Sequence, residues 1–161
     1  RPKSAAAWLK RTTPEMCMAA LWSEGISPGG IPDLSGVGWA DFKHIQRYVS
    51  VSDQPTADAL IPELLEIPST FHGVSLEPML GPVDLAPWLK QLHHVIVGGE
   101  SGNGARPCQM HWIADVVEQC KAAGVPCFVK QLGSYYGPGK GNDFSLWPEV
   151  IQVRELPGGE K

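Results

Sequence analysis

The stretch Gly98-Gly99-Glu100-Ser101-Gly102-Asn103-Gly104-Ala105-Arg106-Pro107 carries the densest chemistry in the chain. It follows the apolar run Val95-Ile96-Val97, so four glycines in seven residues stand directly after a buried-strand pattern. Glycine has no Cβ, and a backbone built from it can bring amide N–H groups close to a ligand. Gly102-Asn103-Gly104 has the form of an anion-binding nest, and Arg106 adds a planar fork suited to phosphate or carboxylate. No Gly-Lys-Ser/Thr follows, so this is not a Walker loop, and the glycine spacing is not that of a dinucleotide fingerprint. Ser101 lies in Gly-Gly-Glu-Ser-Gly rather than Gly-x-Ser-x-Gly, which removes the nucleophile-elbow reading. The structural alternative is a turn that needs positive φ angles, with Arg106 tying it down.

Three further stations share the position of this loop, each at the end of a strand pattern. They are Ser52-Asp53, Glu77 and Lys130-Gln131. In parallel α/β architectures ligands bind at the carboxyl ends of the strands. The expected ligand-binding set is therefore Ser52, Asp53, Glu77, Gly98, Gly99, Glu100, Ser101, Arg106 and Lys130. The carboxylates Asp53, Glu77 and Glu100 beside Lys130 and Arg106 could hold a metal, a phosphate or a polar substrate. Structural roles compete: Asp53 capping the next helix, and Glu77 pairing with Lys130. No catalytic residue and no cofactor is assigned, and no Cys/His spacing matches a zinc site. His93 and His94 begin a strand, away from this rim, and read as structural; His111 opens a helix and could reach the rim.

Strand and helix patterns alternate to position these stations. Tyr48–Ser52, Phe71–Leu76, His93–Val97 and Pro126–Gln131 read as strands. Ala57–Ile67 reads as a helix with Thr56 as N-cap and a bend at Pro62. Leu85–Leu92 reads as a short helix. Met110–Ala123 is the clearest helix, with Trp112, Ile113, Val116, Val117 and Cys120 on one face and Gly124 as terminator. Before the first strand, 5–9 and 14–22 favour helix and 25–39 is Gly/Pro-rich. The expected organisation is one domain over 1–161. It has a helical start at 1–24, a loop or insertion at 25–47, a βα-repeat core at 48–133 and an irregular tail at 134–161 that packs back through Phe144–Arg154. Such alternation implies parallel strands with helical crossovers. The fold class is α/β, either a small open sheet or a partial, half TIM-type barrel, because a closed barrel needs roughly 200 residues or more.

Composition excludes several function classes. The chain has 161 residues, 43% apolar and 19% charged, with net charge −4 and pI near 5.7. A core can form, and no basic run offers a duplex-DNA footprint, so nucleic acid is not the expected partner. No signal peptide and no apolar run long enough to span a membrane is present. Cys17, Cys108, Cys120 and Cys127 form no C-x-x-C pair; Cys120 and Cys127 read as small buried hydrophobes. A reducing cytoplasm is the default compartment.

Four segments in order, VSVSDQPTADALIPELLEIP, VSLEPMLGPVDL, VIVGGESGNGARP and GVPCFVKQLG, with a looser LWPEVIQVRELP, resemble an uncharacterised phage and prophage family named for phage gene products 37 and 68. That family is similar to radical S-adenosylmethionine barrels, whose N-terminal segment carries clustered cysteines able to ligate an iron–sulfur cluster. None of the four cysteines here matches that cluster, so the resemblance implies a C-terminal half alone, by truncation, by design or as a split gene. Gly98-Gly99-Glu100 looks like the Gly-Gly-Glu element that holds the methionine amine in those enzymes. It follows a late strand here and an early one there, and it is given no weight. Half a barrel would expose two sheet edges and one sheet face, so a homodimer or higher oligomer is expected. The resulting expectation is a phage-associated protein with a rim for an anionic small molecule. The alternative is a non-catalytic assembly protein retaining a relic site.

Overall fold

A computed structural model describes residues 37–38 and 41–158, so the expected helices at 5–9 and 14–22 and most of the 25–39 loop lie outside the described residues. Residues 41–46 are turn and irregular backbone, as expected of a connecting segment. Four five-residue strands follow: β1 (Arg47–Val51), β2 (His72–Leu76), β3 (His94–Gly98) and β4 (Cys127–Gln131). They form one open sheet in the order β1-β2-β3-β4, and every pair is parallel. Helix α1 (Gln54–Leu65) joins β1 to β2, and helix α2 (Met110–Ala123) joins β3 to β4.

The register sorts the strands into two faces. Val49, Val51, Val74, Leu76, Val95, Val97, Cys127 and Val129 share one face, because residues two apart in a strand point the same way. All but Val49 in this set are buried. Ala57, Ile61 and Leu64 of α1 and Ile113, Val116, Val117 and Cys120 of α2 complete the core. Each buried Val, Leu or Ile contributes roughly 1.5–3 kcal/mol, whereas a helix cap contributes about 1 kcal/mol. The helices are therefore seated chiefly by this face. The opposite face carries Tyr48, Ser50, Gly73, Ser75, His94, Ile96, Phe128 and Lys130. Ser50 and Lys130 are exposed, and Ser75, Ile96 and Phe128 are half-buried; we call it the open face.

Two elements differ from expectation. Helix α1 starts earlier, at Gln54, and of the two caps expected, Thr56 and Asp53, its N-cap is Asp53. The Asp53 carboxylate accepts the Thr56 N–H (3.0 Å), and the Thr56 hydroxyl accepts the Asp53 N–H (3.1 Å), a reciprocal capping box. The apolar pattern begins only at Ala57 and so hid the first turn. The expected helix at Leu85–Leu92 is only a 3-10 turn, Leu89–Gln91. Pro87 disfavours helical backbone at the residue before it. The amides there are satisfied by side chains: Leu85 N–H by Gln119 Oε1 (2.7 Å) and Ala86 N–H by Asp84 Oδ1 (2.9 Å). Helix α2 and its terminator Gly124, in left-handed conformation, match expectation.

The segment after β4 is more ordered than an irregular tail. It forms 3-10 turns at Ser134–Tyr136, Phe144–Leu146 and Glu149–Ile151 and a short helix α3 (Gly137–Asn142). Trp147 and Ile151 are buried in the core. The chain then closes the β4 edge with an antiparallel bridge, Phe128 to Arg154. Its main-chain bonds run from Val129 N to Val153 O (2.9 Å) and from Glu155 N to Cys127 O (2.9 Å). Among the described residues no helix is long and apolar enough to cross a membrane.

Candidate functional site

The strand ends do converge. After the Glu77-Pro78 cis peptide, the chain lies across the carboxyl end of the sheet. Met79 N–H donates to Gly98 O (2.9 Å) and Leu80 N–H to Ser52 O (2.8 Å), which ties β1, β2 and β3 into one rim. Ser52 contributes its backbone to this tie, and its own N–H donates to the Thr56 hydroxyl (2.9 Å).

A β-bulge builds the centre of the rim. The β3–β4 register shifts between Val97 and Gly98, so Gly98 stands opposite Gln131 rather than Lys130. Regular alternation would send Lys130 and Gln131 to opposite faces; a bulge re-aims one of them. Both reach the same carboxylate oxygen, Glu77 Oε1: Lys130 Nζ at 2.8 Å and Gln131 Nε2 at 3.0 Å. Gln131 Nε2 also donates to Gly99 O (3.0 Å), so one amide joins β2, β3 and β4. The Lys130 side chain remains about half exposed and that of Glu77 21% exposed, which leaves both within reach of solvent.

The glycine loop takes the second of its two expected forms, a turn packed on its own chain. A Cβ on Gly99 would collide with the Leu132 carbonyl oxygen and lie 2.7 Å from its carbon. A Cβ on Gly133, which has φ +93°, would lie 2.6 Å from Glu100 O. These glycines admit another stretch of this chain, not a ligand. Gly99 N–H donates to Gln131 O (2.9 Å), and Gly102 N–H to the Ser134 hydroxyl (2.9 Å). Ser134 N–H donates in return to Glu100 O (2.8 Å).

The anion for the expected nest is internal. Glu100 Oε2 accepts the Arg106 backbone N–H and Nε–H, both at 2.8 Å, while Arg106 Nη2 donates to Oε1 at 2.6 Å. Side-chain and then backbone hydrogen bonds from Arg106 hold the Glu100 carboxyl down at about 2. The Arg106 fork and three of the loop's amides thus have partners within the chain, which is the turn alternative with Arg106 tying the loop down. Positive φ at Gly102 and Gly104 agrees with the turn reading. Ser101 is exposed on its surface.

The carboxylate trio does not gather. Asp53 serves Thr56, Glu77 serves Lys130 and Gln131, and Glu100 serves Arg106. The Thr56 hydrogen bonds hold Asp53 below the usual carboxylate range. Among the described residues no three His, Cys, Asp or Glu side chains could hold a metal ion, so the metal reading of the trio is corrected. The described cysteines do not fit an iron–sulfur cluster: Cys108, Cys120 and Cys127 are buried free thiols. Burial pushes Cys108 up to about 11; a hydrogen bond from the Cys127 thiol to Cys120, then burial, raises Cys127. Both stay protonated and are poor ligands or nucleophiles. His111 is exposed at the start of α2 and packs edge-on against Trp112.

Sequence reasoning placed Gln131 at a strand-end station but outside the ligand-binding set, did not name Ser134, and gave Gly133 no role. A bulge leaves no composition signal, so nothing in the sequence put Gln131 beside Lys130 on one carboxylate. The pairing of Gly98-Gly99 with Gly133 was the available signal for two backbones in contact.

No curated protein and no solved structure matches the chain. Residues 3–150, most of the chain, match the family described as "Protein of unknown function (DUF5131)", and the chain belongs to that family.

Proposed function

We propose that this protein binds a small polar or anionic molecule on the open face of its sheet, at the rim where Glu77, Lys130 and Gln131 meet. The bulge that turns Lys130 and Gln131 onto one carboxylate oxygen is the observation that carries this reading. It fixes a charged pair at the carboxyl end of a parallel sheet, where such folds bind ligands. Glu77 Oε1 takes both donors, and the lysine ammonium keeps protons to spare for an anionic or hydroxyl group. The Gly98–Arg106 loop acts as a rigid wall to this site. No reaction is assigned.

The strands follow one another in space as in sequence, without the reversal of a doubly wound sheet. That order supports a half TIM-type barrel, with the open face as the barrel's inside. The phage and prophage resemblance supports a mobile-element setting, and the buried free thiols suit a reducing compartment such as the cytoplasm. The test is a backbone amide NMR titration with phosphate, carboxylates and sugars. Shifts centred on Glu77, Lys130 and Gln131, lost in Lys130→Ala, are the expected result. Shifts centred on Gly102–Arg106, or none at millimolar ligand, would overturn it.

A second reading is an oligomeric interaction module. Its observation is the difference between the sheet edges: the tail caps β4, whereas among the described residues β1 ends the sheet. An uncapped edge invites strand pairing with another copy. Light scattering at tens of micromolar would show a dimer or larger; a clean monomer would set this reading aside.

A further inference from the structure

We propose that the tail around Val153–Glu155 is an acid-released strap, held over the β4 edge by neutral His94. The argument starts from a line of contacts across the open face at the end opposite the rim. Tyr48 on β1 donates its hydroxyl proton to His94 Nδ1 on β3 (2.8 Å). Gly73 on β2 lies between them, and a Cβ there would collide with the Tyr48 ring. Glycine is therefore what lets this ring cross a strand. The other imidazole nitrogen, His94 Nε2, faces the Glu155 carbonyl oxygen (3.0 Å), beyond β4. One ring thus spans from β1 to the tail.

The hydrogen bonds fix its protonation. A carbonyl only accepts, so Nε2 carries the proton and Nδ1 offers its lone pair to Tyr48. A second proton would sit on Nδ1, force the Tyr48 hydroxyl to turn from donor to acceptor, and place a charge in a site 3% exposed. Among the described residues no salt bridge reaches His94. Tyr48 is the titratable group from β1, and Gly73 is the β2 residue facing it. His93 precedes it in sequence, with Nδ1 facing the His72 amide. From β4, Lys130 is paired with Glu77 at the far end. On the tail, the Glu155 carboxylate accepts from Cys127 N–H (3.3 Å), and Arg154 donates to Val129 and Lys130 carbonyls (3.3 Å each). Burial accordingly holds His94 below the ordinary histidine range, against the smaller upward pull of the Glu155 carbonyl.

The sign follows. The imidazolium would keep its Nε2–H on the Glu155 carbonyl, so the drive for release is the burial of the ring: with His94 rehydrated, the released state binds the proton between the lowered folded pKa and about 6.5, and acid favours release. Release frees the β4 edge at Cys127 and Val129 for pairing with another strand.

Amide hydrogen exchange at pH 7.5 and 5.0, corrected for intrinsic rates, tests this in the whole chain. Protection at Val129 and Glu155 is expected to fall by up to about tenfold per unit of pKa depression, and further than at Val95 and Val97. His94→Gln can still donate to the carbonyl and accept from Tyr48 but does not titrate, so its tail protection stays flat. A wild type whose tail does not loosen beyond its core, or a variant with the same pH slope, would overturn the proposal. Should the variant fail to fold, an NMR titration of the wild type decides. Tail amides moving with the His94 ring support it, and tail amides unmoved while the ring titrates reject it.

Discussion

The two ends of this sheet are built from opposite chemistry. The carboxyl end is held by charged groups in contact with water: Glu77 with Lys130, and Glu100 with Arg106. The amino end carries neutral groups that pass from water into the core, His72, His94 and Tyr48, beside the Arg47 guanidinium, which donates to Pro68 O. Exposed ion pairs contribute little to stability and hold loops in place. Buried neutral imidazoles contribute only while they stay neutral. The rim is therefore an end where water can exchange with internal partners at small cost, and the base is an end where it cannot, a contrast on which the proposed ligand site rests.

The largest test of this contrast lies in the backbone beneath the rim. Gly99→Ala places a Cβ against the Leu132 carbonyl, with backbone on both sides and nothing flexible to yield. Overpacking of this kind costs about 1–3 kcal/mol or more, so denaturant unfolding should show a loss of about 3 kcal/mol or no folded protein. Gly102→Ala meets open space and suffers only its φ of +104°. It should cost about 1 kcal/mol. Equal losses would mean that the loop is not wedged against Leu132-Gly133.

Next in size is the bulge. Gln131→Leu removes the donor shared by Glu77 and Gly99 O. Two hydrogen bonds at about 1 kcal/mol each set the scale, and thermal denaturation should fall accordingly. Lys130→Met leaves stability nearly unchanged, because its partner keeps the Gln131 bond and the lysine is half solvated. If Lys130→Met proved the more damaging, the rim would be structural and the ligand reading would lose its basis.

These residues also mark what a sequence can show. The strands, both helices and the buried face were legible, because alternation and a 3.6-residue period report burial directly. The rim stations were legible as strand ends. The Glu77–Lys130 pair and the Asp53 cap were legible as structural alternatives; the partner of Arg106 was not, because Glu100 and Arg106 are six residues apart and either could have faced a ligand. The bulge at Lys130-Gln131 breaks the alternation on which facing is judged. The relay from Tyr48 to His94 was invisible for another reason. It joins residues 46 apart across an intervening glycine, a contact that only strand order creates.

Acid separates the two ends. The amino end responds first. His72 is held below the usual histidine range by burial, opposed by its bond to Ile67 O, and His94 likewise. A depressed histidine stabilises the fold above its unfolded pKa, and that contribution is lost as pH falls below about 6.5 toward the folded value. Stability by urea unfolding should thus drop between about pH 6.5 and 5, and His72→Asn with His94→Gln should flatten the slope. Glu100 behaves in the opposite range. Its carboxyl is held at about 2, so the Arg106 clamp is fully present above the usual carboxylate pKa and lets go as pH falls toward 2. The effect is the smallest of the set, since both side chains meet solvent, and it should show as faster exchange at the Arg106 amide rather than as a shift in global stability. At pH 4 the base should be loosened while the Arg106 amide stays protected. The reverse order, a loop that opens before the histidines titrate, would mean that Arg106 is held by something other than Glu100. The nest at Gly102–Arg106 would then be open to an external anion after all.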